Sequence, residues 1–270
     1  MNLGVQPSKT DLRDYTLAVE PVEVEKFKLE NLPKIKDQYF INSCAAHSAS
    51  SVLEWLNQKE TGEYRELSTG FIYGMQGVEF DRFDTHMYLR DACKIMLKYG
   101  DCLQETVPFN VEMPECYRRL AEMLNDDIYN EAAICKIKAY AKCMNDNDVK
   151  YALMNYGPVI MAIKWSEQYE VFNNGVIHFD PEAKYGYHAV MAYGFNEVGW
   201  LCQNSFGSDW GKGGRFILPY NYGFVEAWTF VDDKNSGVHK PKRGKAMDAV
   251  YKVLNYIVNV IKELTNRVQN

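Results

Sequence analysis

Four residues of this sequence have the types and the order that nucleophilic acyl chemistry needs: Gln38, Cys44, His188 and Asn204. Cys44 follows Asn42 and Ser43 and precedes Ala45, Ala46, Ala49, Val52, Leu53 and Leu56. Those apolar residues recur at three- and four-residue spacing, so the segment reads as an amphipathic helix, N-capped by Ser43, with a thiol in its first turn. The helix dipole and the free N–H groups there favour thiolate over thiol, and the thiolate is the nucleophile. Six residues upstream, Gln38 offers a side-chain amide donor. A thiol needs a base to take its proton, and the base needs a third group to hold its ring. His188 opens an apolar run, Ala189 to Phe195, that reads as a buried strand. A short turn, Asn196 to Gly199, leads into a return strand from Trp200 that ends in a Gly-rich loop, with Asn204 near its end. A hairpin of this kind sets His188 and Asn204 side by side.

Each of these residues alone has a plainer reading: a packed cysteine, a strand-end histidine, a turn asparagine, a loop glutamine. Their joint order is what favours chemistry. His47, one helical turn after Cys44, competes as the base, but its position on the helix directs it to the interior. Trp210 is expected to shield the Asn204–His188 contact from water.

The elements that must position these groups divide in two. From Cys44 to about Asn130 helical patterns dominate. They include a helix capped by Ser68 through Phe71, Ile72 and Met75, one from Tyr88 to Tyr99 stopping at Gly100, and one opened by Pro114. After Ala133 the period changes to that of strands: 134–140, 159–165, 176–179, 188–195, 199–205, 216–219 and 228–231, interrupted by a helix over about 146–156. Helices first and strands second imply an α+β arrangement, with the site in the cleft between the two halves.

Taken together, Gln-x5-Cys, a distant His-Ala-Val and Asn-Ser-aromatic-Gly-x2-Trp-Gly resemble the papain-like cysteine peptidases of the C1 type, especially their short bacterial, archaeal and viral members. Weaker matches are Leu67-Ser68, Arg90 to Gly100 and Gly157 to Ile163, and the likeness spans roughly 33–232. The resemblance implies a two-lobed fold, with a helical N-terminal lobe and an antiparallel, β-barrel-like C-terminal lobe flanking the cleft. It implies a cysteine endopeptidase in which Cys44 is the nucleophile, His188 the base, Asn204 the group that orients it and Gln38 an oxyanion donor. Gly186 and Tyr187, which flank His188, are expected to line the substrate groove, as are His86 and Met87 on the opposite edge. The chain departs from the family pattern in places: Ile41-Asn-Ser-Cys-Ala45 stands at the nucleophile, Phe206 replaces a Trp, and Asp84 to Tyr88 replaces a Gly-rich substrate-pairing edge. Two other classes stay open: a catalytically idle papain-like binding protein, and another thiol acyl-transfer enzyme such as a cell-wall amidase or a transglutaminase-type enzyme.

Composition bounds the rest. The 270 residues are 47% apolar and 24% charged, an ordinary globular balance, and the formal charge of −6 argues against a nucleic-acid partner. The partner implied is a protein or peptide substrate. Seven cysteines without a CxxC pair indicate neither a metal cage nor a disulfide framework, and no cofactor or metal is expected. This usage suits a reducing compartment. Residues 1–33 hold no apolar run that would serve as a signal peptide, and a cytoplasmic location is expected. They read as an N-terminal arm packed along the domain, or as a short inhibitory pro-segment. The peptidase domain is placed at 34–232, with its helical lobe at about 34–133 and its β lobe at about 134–232. A linker at 233–245 follows, then an amphipathic helix at 246–270. Met247, Val250, Leu254, Ile257, Ile261, Leu264 and Val268 form a strict a/d seam in that helix. Docking on the protein's own surface, self-association through a coiled coil, and contact with a membrane surface through 246–268 are the three readings of it.

Overall fold

The computed structural model describes residues 4–231 except 13, 18, 83–85, 110–119, 121, 173 and 181, together with 238 and 239. The start of the expected helix opened by Pro114 and all of the one over 246–270 lie outside the described residues, as do most of the linker and Asp84 and Thr85 of the altered cleft edge; Leu120, Glu122 and Met123 are helical.

The helical half comprises α1 (Cys44–Thr61), α2 (Thr69–Phe80), α3 (Leu89–Lys98) and α4 (Asp126–Ala132). Helix α1 is its axis and packs against α2 and α3. Its small residues Ala45, Ala46 and Ala49 and the larger Val52 and Leu53 are fully or almost fully buried. Gly62 at φ 78° stops it, donating its N–H to Gln58. Ser68 caps α2 as expected, its hydroxyl accepting from Phe71 N–H at 2.8 Å. The one helix of the β half, α5 (Asp146–Asn155), is capped by Asn145, which accepts from Asp148 N–H.

The strands are β1 (Val5–Gln6), β2 (Thr16–Leu17), β3 (Phe27–Lys28), β4 (Met87–Tyr88), β5 (Ala139–Cys143), β6 (Val159–Ser166) and β7 (Tyr169–Val171). They continue with β8 (Ile177–Phe179), β9 (Tyr185–Phe195), β10 (Gly199–Gln203), β11 (Arg215–Pro219), β12 (Glu226–Val231) and β13 (Val238–His239). The main sheet runs β11-β10-β9-β6-β12-β5-β2-β13, with β3 also on β9, and is antiparallel except at β2–β5. Among the described residues β11 and β13 do not pair, so the sheet is open where a barrel-like closure was expected. The fold is α+β, with α1 crossing β9 at the junction of the two halves.

The expected strand over 134–140 is displaced. Ala133–Cys135 form a 3-10 turn that continues α4, and the strand begins at Ala139. The backbone at and just before this stretch is already committed to the helical half: Asp101 N–H bonds Ala132 O at the end of α4, and Ile137 N–H bonds Met96 O. Residues 4–28 supply three strands to the domain, and Val238–His239, inside the expected linker, pair with β2.

Candidate active site

The sulfur of Cys44 lies in the first turn of α1, where the preceding backbone turns through Ser43 at φ −118° and ψ 15°. Ser43 occupies the N-cap position but makes no side-chain cap. Its hydroxyl instead donates to Ile41 O at 3.4 Å, because the backbone there is not extended as a capping residue requires. Cys44 is fully buried. Its Sγ accepts the Ala189 N–H at 3.3 Å, and the N–H groups of Gly4 and Ala45 also act on it.

His188 enters through β9, one residue before Ala189. The β9–β10 hairpin closes at Asn196, whose side chain accepts the N–H groups of Val198 and Gly199, so the turn is the one expected. At its open end His188 Nε2 donates to Asn204 Oδ1 at 2.7 Å, with both residues buried. That bond leaves Nδ1 without a partner among the described residues. Asn204 is itself held by its N–H to Gly214 O at 2.9 Å. Gly214 has φ 76°, and a Cβ there would come within 2.4 Å of Ile35. Only glycine fits that place without strain.

Gln38 is buried and fixed at both ends of its amide. Nε2 donates to Ile41 O at 3.0 Å, and Oε1 accepts the Ser205 hydroxyl at 2.6 Å. One Nε2 hydrogen stays free of these bonds. The segment carrying Gln38 is tied down by a buried ion pair, Lys36 Nζ to Glu54 Oε1 at 2.8 Å, and by Lys36 Nζ to Leu67 O at 3.0 Å.

The shield over the histidine differs from expectation. Phe206 stacks on His188 with ring centroids 4.9 Å apart, and Trp165 packs on it at 4.8 Å. Trp210 lies behind both, 5.5 Å from Phe206 and 5.9 Å from Trp165, with its indole N–H on Tyr169. His47 is buried with Nδ1 3.0 Å from Ser43 O and Nε2 3.2 Å from Asp37 O. Burial lowers its pKa to about 3, so it stays neutral and donates to one of these carbonyls at a time.

Burial dominates the electrostatics of the central pair. It pushes the Cys44 thiol up to about 12, against the opposing N–H groups of Ala189, Gly4 and Ala45. It pulls His188 down to about 4, opposed by the Asn204 bond. In this state both groups are neutral. The helix N-terminus was expected to favour the thiolate; here desolvation outweighs it.

The start of the chain packs beside the thiol. β1 pairs in parallel with β4, Val5 opposite Met87 and Gln6 opposite Tyr88, and Met87 N–H bonds Gly4 O at 2.9 Å. Gly4 presses on the approach to the thiol: a Cβ there would lie 2.3 Å from the Asn42 carbonyl carbon and 2.6 Å from Ser43 N. Met87, expected on the cleft edge, is therefore buried under the arm. His86 sits beside it, its ring edge-on to Tyr88 at 6.2 Å. Gly186 and Tyr187 stand on β9 opposite Trp165 and Lys164, partly exposed. On the Gln38 side, a depression lined by Gln38, Tyr39, Phe40, Phe206 and Trp210 stays open.

A model of the papain family cysteine proteases matches residues 18–225. The chain belongs to this family. It is a cysteine-type peptidase by membership, and it is 26% identical over 266 residues to an uncharacterized peptidase C1-like protein of Acanthamoeba polyphaga mimivirus, covering 82% of each chain. A cysteine protease of Blomia tropicalis is 27% identical over 212 residues, of which this chain spans 58% of the relative's length and the match 72% of this chain. Among solved structures, xylellain, a cysteine protease from Xylella fastidiosa, superposes with a TM-score of 0.73 at 21% identity, over 86% of this chain and 97% of that one. Among the described residues no helix is long and apolar enough to cross a membrane.

The sequence reading missed three participants. Ser205, which holds Gln38, was hidden in plain view within the Asn-Ser-aromatic run. Trp165, which packs on His188, sits at the end of an apolar strand like any core residue. Gly4 gave no signal, because a lone glycine near a terminus is unremarkable until something is known to lie against it.

Proposed function

We propose that the protein is a cysteine endopeptidase whose reaction is carried by Cys44, His188, Asn204 and Gln38, and that residues 4–9 hold it covered. The observation that supports this most is the His188–Asn204 bond, which leaves Nδ1 bare one residue from the N–H that touches Cys44 Sγ. With the arm displaced and water admitted, the desolvation that keeps both groups neutral is relieved. Proton transfer from Sγ to Nδ1 then gives a thiolate–imidazolium pair. The thiolate attacks the scissile carbonyl. The free Nε2 hydrogen of Gln38 and the Cys44 backbone N–H donate to the developing oxyanion. His188 passes its proton to the leaving amine, and the acyl group stays on Sγ as a thioester. Water, deprotonated by His188, then attacks the thioester and releases the acid and the thiol.

The arm is held by more than β1. Arg90 N–H bonds the Ser8 hydroxyl at 3.3 Å, and Arg90 Nη2 bonds both Lys9 O at 2.7 Å and Asp14 Oδ2 at 2.5 Å. The thiolate-dependent cleavage test separates this reading from a binding protein. Cys44→Ala and His188→Ala should abolish turnover of a fluorogenic peptide pool, while Asn204→Ala lowers it less. Loss of the Gln38 donor in Gln38→Ala should cost roughly two to three orders of magnitude in kcat. Turnover that survives Cys44→Ala sinks the scheme.

A further inference from the structure

Helix α1 carries a second buried imidazole that the reaction above does not use. His47 is 2% exposed, one turn after Cys44, with Phe109 edge-on to its ring at 4.7 Å. A buried polar side chain costs stability unless its hydrogen bonds are made, and a phenylalanine would fill the same place against Phe109. Packing therefore does not account for a histidine. Its two nitrogens do, because each reaches a main-chain carbonyl: Nδ1 lies 3.0 Å from Ser43 O, and Nε2 lies 3.2 Å from Asp37 O.

Those two carbonyls belong to the residues that deliver the proposed oxyanion donors. Ser43 O shares a planar peptide unit with the Cys44 N–H, and Asp37 O shares one with the N–H of Gln38. Asp37 stands opposite Phe206 in an antiparallel bridge that its neighbours close, Gln38 N–H to Ser205 O at 2.8 Å and Gly207 N–H to Lys36 O at 3.1 Å. In a pair of that kind the residue's own C=O turns away from its partner, here toward α1. Among the described residues no backbone N–H reaches Asp37 O. Ser43 O already accepts the His47 N–H at 2.9 Å, as an α-helical carbonyl does. A neutral ring has one N–H to give, and the carbonyl that lacks another donor takes it, from Nε2. The segment needs this tie. Tyr39 follows Gln38 at φ 49°, a left-handed conformation that strains a tyrosine. The side chains of Tyr39 and Phe40 are exposed, so their burial does not hold the turn down. The Asp37 carboxylate accepts the Tyr39 N–H at 2.7 Å, and the His47 ring holds the carbonyl of the same Asp37 from the side of the nucleophile.

We propose that His47 is a positioning residue for the oxyanion hole, whose Nε2–H ties Asp37 O, and with it the Gln38 peptide, to the helix that carries Cys44. This rests on the peptidase reading. Kinetics use the full chain carrying Gly4→Leu, since any side chain at residue 4 collides with Asn42 and Ser43 and displaces the arm. In that chain His47→Phe, which keeps a ring against Phe109 and removes the donor, should lower kcat roughly tenfold and leave KM within about twofold. The same substitution added to Gln38→Ala should change kcat by less than about twofold, because the group it positions is already gone. A purely structural role would lower both chains alike. An unchanged kcat in His47→Phe, or an equal fall with and without the Gln38 side chain, overturns the proposal. Should His47→Phe fail to fold, His47→Met removes the same donor and carries the same comparison. Should the Gly4→Leu chain cut no peptide, the peptidase reading fails, and the tie is decided without turnover by NMR of the 15N-labelled imidazole in the wild-type chain. A proton on Nε2 that is protected from exchange supports the tie, and a proton on Nδ1, or an unprotected one, overturns it.

Discussion

At the scale of single residues, the state of Cys44 and His188 follows from what covers them. The backbone N–H groups of Ala189, Gly4, Ala45 and Cys44 itself act to lower the thiol pKa, yet burial carries it up to about 12. The imidazole is held at about 4 for the same reason. Displacing the arm returns water, which stabilises both charged forms. In the Gly4→Leu chain the His188 ring protons, followed by NMR, should titrate upward from about 4 toward the ordinary histidine range, while those of His47 stay near 3. A His188 titration unmoved by Gly4→Leu would show that the arm is not its cover. The sign carries into stability. A folded pKa of about 4 beneath an unfolded value near 6.5 means that the unfolded chain binds the extra proton in between. The stabilisation from a neutral His188 is full above pH 6.5 and is lost as pH falls through 4. Urea midpoints at pH 7 and pH 4.5 should therefore differ more in the wild type than in Gly4→Leu.

At the scale of elements, the site depends on how two segments are pinned. The Lys36–Glu54 pair is buried, with the Glu54 side chain fully enclosed, and Glu54 also accepts from Leu67 N–H and Tyr64 hydroxyl. Burial raises the Glu54 pKa, and Lys36 is the first influence opposing it. Glu54→Ala leaves a lysine buried without its partner and should cost about 3–5 kcal/mol in urea unfolding. Ser205→Ala removes the bond that aims the Gln38 amide. It should lower kcat about tenfold with little change in KM, in line with a buried hydrogen bond worth about 1 kcal/mol. The hairpin bearing His188 and Asn204 was legible because a turn signal, Asn196 to Gly199, separates two apolar runs. The first strand of the β half was misplaced because Ile134 to Tyr140 looks like a strand locally, while Ala133–Cys135 continue α4 as a 3-10 turn and Ile137 N–H is bound to Met96 O in the helical half. The Gln38–Ser205 contact spans 167 residues, and no local pattern encodes it.

At the scale of the whole molecule, the chain folds its beginning back beside Cys44. The sequence allowed either an arm or an inhibitory segment for residues 1–33, since pairing between β1 and β4 leaves no mark in composition. In the structure the described part of the arm packs along the domain through β1 on β4, and the inhibitory reading stays part of the proposal. Family and two-lobed architecture were readable from four ordered motifs. The covering was not, because it depends on the absence of a side chain at Gly4 and on Ser8 and Arg90 meeting across 82 residues. The most direct test of the account is covalent labelling of Cys44 by an irreversible peptidyl epoxide under reducing conditions, alongside turnover of a mixed fluorogenic peptide pool. Wild type, Gly4→Leu and Gly4→Leu with Cys44→Ala are compared. The account predicts slow labelling and turnover in the wild type, a rise of at least tenfold in both for Gly4→Leu, and loss of both when Cys44 is removed. Equal rates in wild type and Gly4→Leu, or turnover that persists without Cys44, would contradict it.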